Sequence, residues 1–161
     1  MIRLEGFKEF GKKLSDLPKN IQVKADAIVK DSASEWARNS KRAAPKDQGK
    51  LAGQIQAVSV APGVSEVVSP ADYSAFIEWG TKTRVRVPAE LQAYAQQFKG
   101  AKGGDAKKFI YDWCKRKGID KKYWFLVYKS VMVKGITPHP FFFIQRPIIE
   151  PKFKDRLSKI F

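Results

Sequence analysis

Few side chains in this 161-residue chain have the chemistry that catalysis or metal binding needs. The single histidine, His139, stands between Pro138 and Pro140, and the single cysteine, Cys114, follows Trp113. A nucleophilic site needs a nucleophile, a base and a group that orients the base, and a histidine between two prolines is more typical of a turn residue. Cys114 lies near the inner stripe of a predicted helix, which favours a small buried apolar residue over a reactive thiol.

Asp105, Asp112 and Asp120 are the carboxylates that a metal-dependent nuclease would use. Two of them, Asp105 and Asp120, occupy positions where helix N-caps are expected, and no fourth carboxylate joins them. One histidine and one cysteine exclude multi-histidine and thiolate zinc sites. No glycine-rich phosphate-binding motif is present. We therefore predict a protein that is not an enzyme and that needs no metal and no cofactor.

The net charge of +15 is unevenly distributed along the chain. Residues 51–81 contain no Lys or Arg and three acidic residues, whereas residues 82–134 contain 14 basic and four acidic residues. Such a basic block is typical either of a solvated surface that maintains solubility or of a patch for nucleic acid or an acidic partner.

In the densest part of the basic block, Lys and Arg residues alternate with aromatic residues. Many protein surfaces that bind nucleic acids have this composition. Phe109 and Trp113, however, fit the buried stripe of a helix, and no complete helix-turn-helix, zinc-finger or RNA-recognition signature is present. Contact with DNA is therefore a secondary hypothesis beside contact with an acidic partner. The bases concerned are Lys102, Lys107, Lys108, Lys115, Arg116, Lys117, Lys121 and Lys122.

Length and composition favour a single domain over residues 1–161, with a basic segment at about residues 82–134 that the resemblance described below identifies as a helical insertion. An apolar content of 43% and an aromatic content of 12% exclude intrinsic disorder. Charges interrupt the first ten residues, so we expect no signal peptide, and no apolar run is long enough to cross a bilayer. A single cysteine fits assembly in a reducing compartment.

The first 50 residues have the periodicity of two helices. Phe7, Phe10, Leu14 and Leu17 form the stripe of a short helix that Pro18 ends. A longer helix extends to Pro45, with charged residues on its outer face. Its predicted buried face comprises Ile21, Ala25, Ile28, Val29, Ala33, Trp36 and Ala37.

A two-residue alternation predicts an antiparallel hairpin in the next segment. The first strand begins at Leu51, the chain turns at Ala61-Pro62-Gly63, and the second strand begins at Val64. Residues 82–87 alternate strictly and present Lys82, Arg84 and Arg86 on one face, which is typical of a charged edge strand.

Helices return in the second half of the chain. Three short ones are predicted: one with the stripe Leu91, Tyr94, Ala95 and Phe98, one from Asp105 to Gly118, and one from Asp120 to Gly135. In the third, Trp124, Val127, Tyr128 and Val131 are expected to face inward. A last helix is predicted over about residues 150–160, with Ile149, Phe153, Leu157 and Ile160 on one side. The predicted fold is α+β: two N-terminal helices, a small antiparallel sheet, a helical insertion and a C-terminal helix.

Three segments together resemble a known family. They are Ala43-Ala-Pro45-Lys-Asp-Gln-Gly49-Lys-Leu51, Tyr73-Ser-Ala-Phe-Ile-Glu78-Trp-Gly80-Thr81, and Gly135-Ile-Thr-Pro-His-Pro140-Phe141 followed by an amphipathic helix. In this order they resemble the head–tail joining, or tail-component, family of long-tailed bacteriophages and prophages. The basic block, with Trp113-Cys-Lys-Arg-Lys-Gly118-Ile119, is similar to the helical insertion of longer family members.

The resemblance implies an α+β structural protein of the virion, assembled in the host cytoplasm, without catalytic activity. It implies a homo-oligomeric ring at the neck, between head-closure proteins and the tail-terminator or tail proteins, through which genomic DNA passes, and no contact with a membrane. The family-motif residues expected to shape the fold or an interface are Tyr73, Glu78, Trp79, Gly80, Thr81, Pro138, Pro140 and Phe141. Glu78, Gly80 and Thr81 are expected to form a turn near the sheet edge.

Tyr73, Phe76, Trp79 and Phe141 are expected to anchor the core rather than a partner. The basic insertion is expected to face outward or toward an acidic neighbouring ring, because lysines lining a channel would retain DNA. The alternatives are a basic DNA-binding accessory protein that acts as a monomer or dimer and, less favoured, a nuclease-like toxin.

Overall fold

The computed structural model describes residues 2–5, 18–47, 49–71, 73–81, 89, 92 and 106–160. The chain divides into two compact units, one of Met1–Ser74 with Pro140–Phe161 and the other of Ala75–His139. We call them unit 1 and unit 2. The organisation as a single domain with an insertion remains a prediction.

Helix α1 (Lys19–Ala43) is the longest element of unit 1. Pro18 precedes this helix, and its carbonyl accepts hydrogen bonds from the backbone amides of Ile21 and Gln22. The first helical turn therefore begins at Pro18. The helix ends before Pro45, as predicted. Its buried residues include four of the predicted face and two serines that the apolar pattern did not mark; they are Ala25, Ser32, Ala33, Trp36, Ala37 and Ser40.

The sheet of unit 1 contains three strands in the order β1-β3-β2 and is antiparallel throughout. Strands β2 (Gln56–Ala61) and β3 (Val64–Ser69) form the predicted hairpin, with Gly63 at φ +69° in its turn. Strand β1 (Ile2–Glu5) pairs with the other side of β3, with Ile2 opposite Ser69. The sequence reading did not include β1. The first predicted helix, over residues 7–17, lies outside the described residues.

The hairpin turn is fixed to α1 by a side-chain contact. The Gly63 amide donates to Asp26 Oδ1 at 2.8 Å, and Lys30 Nζ lies 2.6 Å from Asp26 Oδ2. The hydrogen bond from Lys30 is the main reason why the pKa of Asp26 is lowered, and the Gly63 amide contributes. One acidic side chain thus connects the helix with the sheet.

The predicted start of the first strand at Leu51 is wrong. Lys50–Gln54 forms a short helix, α2, which follows Gly49 at φ +71°, and the strand begins only at Gln56. Leu51 and Ile55 are both buried, and their four-residue spacing places them on one side of a helical turn. The apolar alternation over residues 51–55 fits a strand or a helical turn. A strand would place Gly53 on the same face as Leu51 and Ile55, but Gly53 is exposed, so the burial pattern is that of a helical turn.

Helix α6 (Arg146–Ser158) closes unit 1 and packs against α1. It begins about four residues before the predicted start, after a 3-10 turn at Phe143–Gln145. Pro147 lies in the first turn of this helix. A proline is favoured there because the backbone N–H that it lacks would not be hydrogen-bonded within the helix in any case. The helix can therefore begin before Pro147. Between the two helices, Glu35 Oε1 lies 2.7 Å from Lys152 Nζ and Glu35 Oε2 lies 2.6 Å from Arg156 Nη2.

Most of the short helix α3 (Ser74–Trp79) belongs to unit 2, followed by α4 (Ala106–Arg116) and α5 (Trp124–Lys134). Helix α4 ends as predicted at Gly118, whose amide donates to Lys115 while the Ile119 amide donates to Cys114, the hydrogen-bond pattern of a Schellman motif. Asp120 caps the next turn, since its Oδ1 accepts from the Lys122 amide at 3.1 Å.

Several predictions for the second half of the chain either concern residues that the structure does not describe or are wrong. Some predictions concern residues outside the described part of the chain. They are the edge strand at 82–87, the helical stripe Leu91, Tyr94, Ala95 and Phe98, and the residues Lys102 and Asp105. Trp113 is 39% exposed, so its assignment to a core stripe is wrong. In α5, Trp124, Val127, Tyr128 and Val131 are half-buried rather than enclosed. Of the helices that the structure describes, none has the length and apolarity of a membrane span.

Candidate functional site

Two family-motif segments meet within unit 2. Thr81 Oγ1 accepts the Ile136 amide at 2.8 Å across 55 residues of sequence, and the Thr81 amide donates to the Ile136 carbonyl at 3.2 Å. The His139 amide donates to the carbonyl of Ile77 at 2.7 Å. Three hydrogen bonds therefore hold the end of α3 against residues 136–139. We call this arrangement the motif clamp.

Gly80 occupies the tightest point of the motif clamp. Its φ of +67° is rarely adopted by residues with a side chain. A Cβ atom at this position would lie 2.6 Å from the Ile136 carbonyl oxygen and 2.9 Å from Pro138 Cδ. Gly80 is thus required both by its own conformation and by the approach of the second motif. Of the three residues expected to form a turn, Gly80 and Thr81 do so, whereas Glu78 belongs to helix α3, so its assignment to the turn is wrong.

The motif clamp also closes the ends of the predicted insertion. Thr81 immediately precedes residues 82–134, and Ile136 follows them after one glycine, Gly135, at φ +82°. Because the two ends are hydrogen-bonded to each other, a long segment between them adds little strain to the surrounding chain. This geometry is compatible with the predicted insertion at this point.

The remaining motif residues have different environments. Glu78 is fully buried and Trp79 nearly so, whereas Tyr73 is 41% exposed, so its expected role as a core anchor is wrong. Burial nevertheless raises the pKa of Tyr73, and the negative charge of Asp47 adds to the effect. Phe76 is half-buried.

Phe141 anchors unit 1, as expected. It is fully buried beside Phe142, and their ring centroids lie 6.3 Å apart. Trp36 of α1 donates its indole N–H to the Phe142 carbonyl at 3.0 Å. Pro138 and Pro140 are half-buried on the segment that leads to this cluster, and His139 between them is exposed.

The basic residues predicted as contacts lie on α4 and on the turns that follow it, and seven of the eight are described. All seven are exposed. Two stand over aromatic rings, with Lys122 Nζ 4.9 Å from the Tyr123 centroid and Lys107 Nζ 5.9 Å from that of Tyr128. The structure therefore brings the predicted bases to one pair of helices together with aromatic side chains.

An open groove of about 350 Å³ lies between α4 and the start of α5. Tyr111, Cys114, Ile119 and Trp124 provide its apolar surface, and Lys115 and Lys121 also line it. Tyr111 and Trp124 meet edge to face with centroids 5.6 Å apart, while the Cys114 side chain is buried. Sequence reasoning named the two lysines but did not find the groove, because it depends on how the two helices meet.

No arrangement for catalysis emerges in the described part of the chain. Asp120 acts as a cap, Asp112 is half-buried, and no three His, Cys, Asp or Glu side chains among the described residues are grouped as metal ligands would be. Both the motif clamp and the groove are suited to holding chain segments in place.

Comparison with known proteins gives one match. Residues 8–80 match the family model described as "Bacteriophage HK97-gp10, putative tail-component". The matched range contains residues 43–51 and the motif up to Gly80, and it ends before the predicted insertion at about residues 82–134. No curated protein and no solved structure matches the chain at a significant level.

Proposed function

We propose that this chain, whose residues 8–80 match the model of the HK97-gp10-like tail-component family of bacteriophages, is a ring-forming structural subunit of the virion neck. In this role it joins head-closure proteins to the tail around the channel for genomic DNA. The family is one of structural tail components and not of enzymes. The ring and its position at the neck are our proposal.

The observation that carries the ring proposal is the outer edge of β2. In the sheet order β1-β3-β2, β2 pairs on one side with β3 and has no second partner strand among the residues described. Its sequence, QAVSVA, has no charged residue, and Val60 is 56% exposed. Monomeric proteins usually protect such an edge with lysine, proline or a short strand, so this edge favours the addition of another strand.

The strand directions indicate how copies would join. Both β1 and β2 run antiparallel to β3 and are therefore parallel to each other. If β1 of the next copy lies beside β2, the contact joins two different surfaces and repeats around a ring. If β2 pairs with β2 of another copy instead, the contact is antiparallel and two-fold, and it ends at a dimer.

Native mass spectrometry over a concentration series tests this proposal. The wild-type chain should form higher oligomers, and Val58→Lys with Val60→Lys should suppress them, since an edge lysine blocks strand addition. Val23→Lys, on the exposed side of α1, provides the matched control and should assemble as the wild type does. A wild-type dimer, or oligomers unaffected by the β2 substitutions, would contradict the proposal.

The alternative function, a DNA-binding accessory protein acting as monomer or dimer, rests on the charge of +15. Duplex binding across a salt series, measured together with native mass, distinguishes the two. Tight binding by a monomer or dimer, with a steep loss as salt rises, would favour the alternative. Weak binding by a chain that forms rings would favour the neck subunit.

A further inference from the structure

We propose that the groove between α4 and α5 docks an acidic chain segment carrying one apolar anchor residue, supplied by a neighbouring virion protein. This inference rests on the proposed function, because it assumes a neighbour in an assembly. It goes further by naming the docking surface and the chemistry of the partner.

The groove combines an apolar interior with positive charge at its border. A volume of about 350 Å³ is at the lower end of ligand-site volumes and is suited to a side chain rather than to a large ligand. Trp124 and Ile119 offer apolar contact, while Lys115 and Lys121 are exposed and form no ion pair with any residue that the structure describes. An apolar anchor flanked by carboxylates would satisfy both features.

The charge around the groove extends this complementarity. Residues 106–134 carry nine Lys and Arg and only two acidic residues, Asp112 and Asp120. Asp120 is engaged in capping and lies 3.4 Å from Lys122 Nζ, so its charge is partly compensated. A partner with negative charge would gain long-range attraction and orientation from this surface.

The exposed apolar side chains favour a protein over duplex DNA. Near the groove, Tyr123, Phe125 and Leu126 are exposed, the last by 60%. Most protein contacts to a duplex reach phosphates and sugars through polar groups, and Leu126 offers none. Apolar side chains surrounded by polar and charged ones are instead typical of a protein–protein interface, which has an apolar centre and a polar rim.

A second copy of this chain is a poor occupant. Each copy carries +15, so the basic surface around the groove gains no overall charge attraction from a second copy, and in the acidic segment 51–81 Glu66 and Glu78 are buried. Two of the three acidic residues of this segment are therefore not accessible to the groove of another copy. An acidic segment of a different protein fits the charges better.

The test begins with a displayed library of random dodecapeptides selected on the purified full-length chain. We expect the selected sequences to contain acidic residues around one aromatic or aliphatic residue. Lys115→Ala with Lys121→Ala should weaken binding of the best peptide about tenfold or more. Lys129→Ala with Lys134→Ala removes the same charge from α5 at positions that do not line the groove, and it should have a much smaller effect.

Amide NMR then locates the peptide. Shifts concentrated at residues 114–124, and lost when the anchor residue of the peptide is replaced by alanine, would support the proposal. Three results would overturn the proposal. The selected peptides could lack acidic residues, or both double variants could weaken peptide binding equally. Alternatively, a DNA duplex of about 20 base pairs could shift the same amide signals and bind more tightly than any peptide. If the peptides fail while rings still form, only this inference falls. If rings fail while the peptides bind, the proposed function falls.

Discussion

The carbonyl oxygen of Ile136 lies 2.6 Å from the position that a Cβ atom would occupy on Gly80. Real Cβ atoms do not approach a carbonyl so closely, so the two motif segments meet only because residue 80 has no side chain. The adjacent Thr81 forms two hydrogen bonds with Ile136 across the same junction. The first two predictions test this contact.

Gly80→Ala should destabilise the protein by about 2–4 kcal/mol, since it combines backbone strain at φ +67° with a clash against backbone. Two matched variants separate these causes. Gly118→Ala has φ +69° but open space and should cost about 1 kcal/mol. Gly53→Ala has neither problem and should be neutral or slightly stabilising. Urea unfolding measures the series, and equal effects at Gly80 and Gly118 would disprove the close approach.

Thr81→Val should cost about 1–2 kcal/mol, because the Ile136 amide loses its acceptor at 2.8 Å while the side-chain shape is nearly kept. Thr81→Ser retains the hydroxyl and should lose much less. Hydrogen exchange of the Ile136 amide is the sharper measurement. It should accelerate in the valine variant only, and unchanged protection there would show that the hydroxyl is not the acceptor.

Glu35 should make the stability of unit 1 dependent on acid pH. Hydrogen bonds from Lys152, and then Arg156, hold the pKa of Glu35 below its ordinary value. A lowered pKa means that the ion pairs contribute fully above the unfolded-state pKa and are lost as the pH falls through the folded-state value. Unfolding measured between pH 7 and pH 2 should show this loss.

Glu35→Gln should therefore cost about 1 kcal/mol at pH 7, a value reduced by the solvent exposure of both cationic partners, and should flatten the acid dependence. Glu150→Gln serves as the control, because Glu150 pairs within its own helix with Lys154 and is more exposed. A larger effect at Glu150 than at Glu35 would contradict the importance of the contact between α1 and α6.

Trp36→Phe should destabilise unit 1 by about 1–2 kcal/mol. The indole N–H donates to Phe142 in a buried site, and the smaller ring leaves a cavity. The Phe142 carbonyl retains the Gln145 amide as a partner, which limits the loss. Trp113→Phe, at a 39% exposed position of unit 2, should change thermal stability little. If both variants lowered the melting temperature by a similar amount, the prediction that the buried Trp36 contributes more to stability than the exposed Trp113 would be contradicted.

Some features of the fold followed from the sequence because their causes are local. Pro18 and Pro45 bound α1, Gly63 allows the hairpin turn, and Gly118 ends α4, each through the backbone geometry of a few neighbouring residues. The resemblance to a phage tail-component family was likewise recognisable from the order of short motifs, and the match of residues 8–80 to the model of such a family confirms this resemblance. The prediction that the chain is not an enzyme rests on its composition, with one histidine and one cysteine.

Tertiary structure decided the rest, because burial and pairing depend on segments distant in sequence. Alternation at residues 51–55 fits a strand or a helical turn, and in the folded chain Leu51 and Ile55 are buried while Gly53 between them is exposed, which is the pattern of a helical turn. β1 is a strand through its pairing with β3. Trp113 has a helical-stripe position, but none of the elements that the structure describes encloses it. The sequence determined that residue 80 is glycine, and only the approach of Ile136 shows why a side chain cannot be accommodated there.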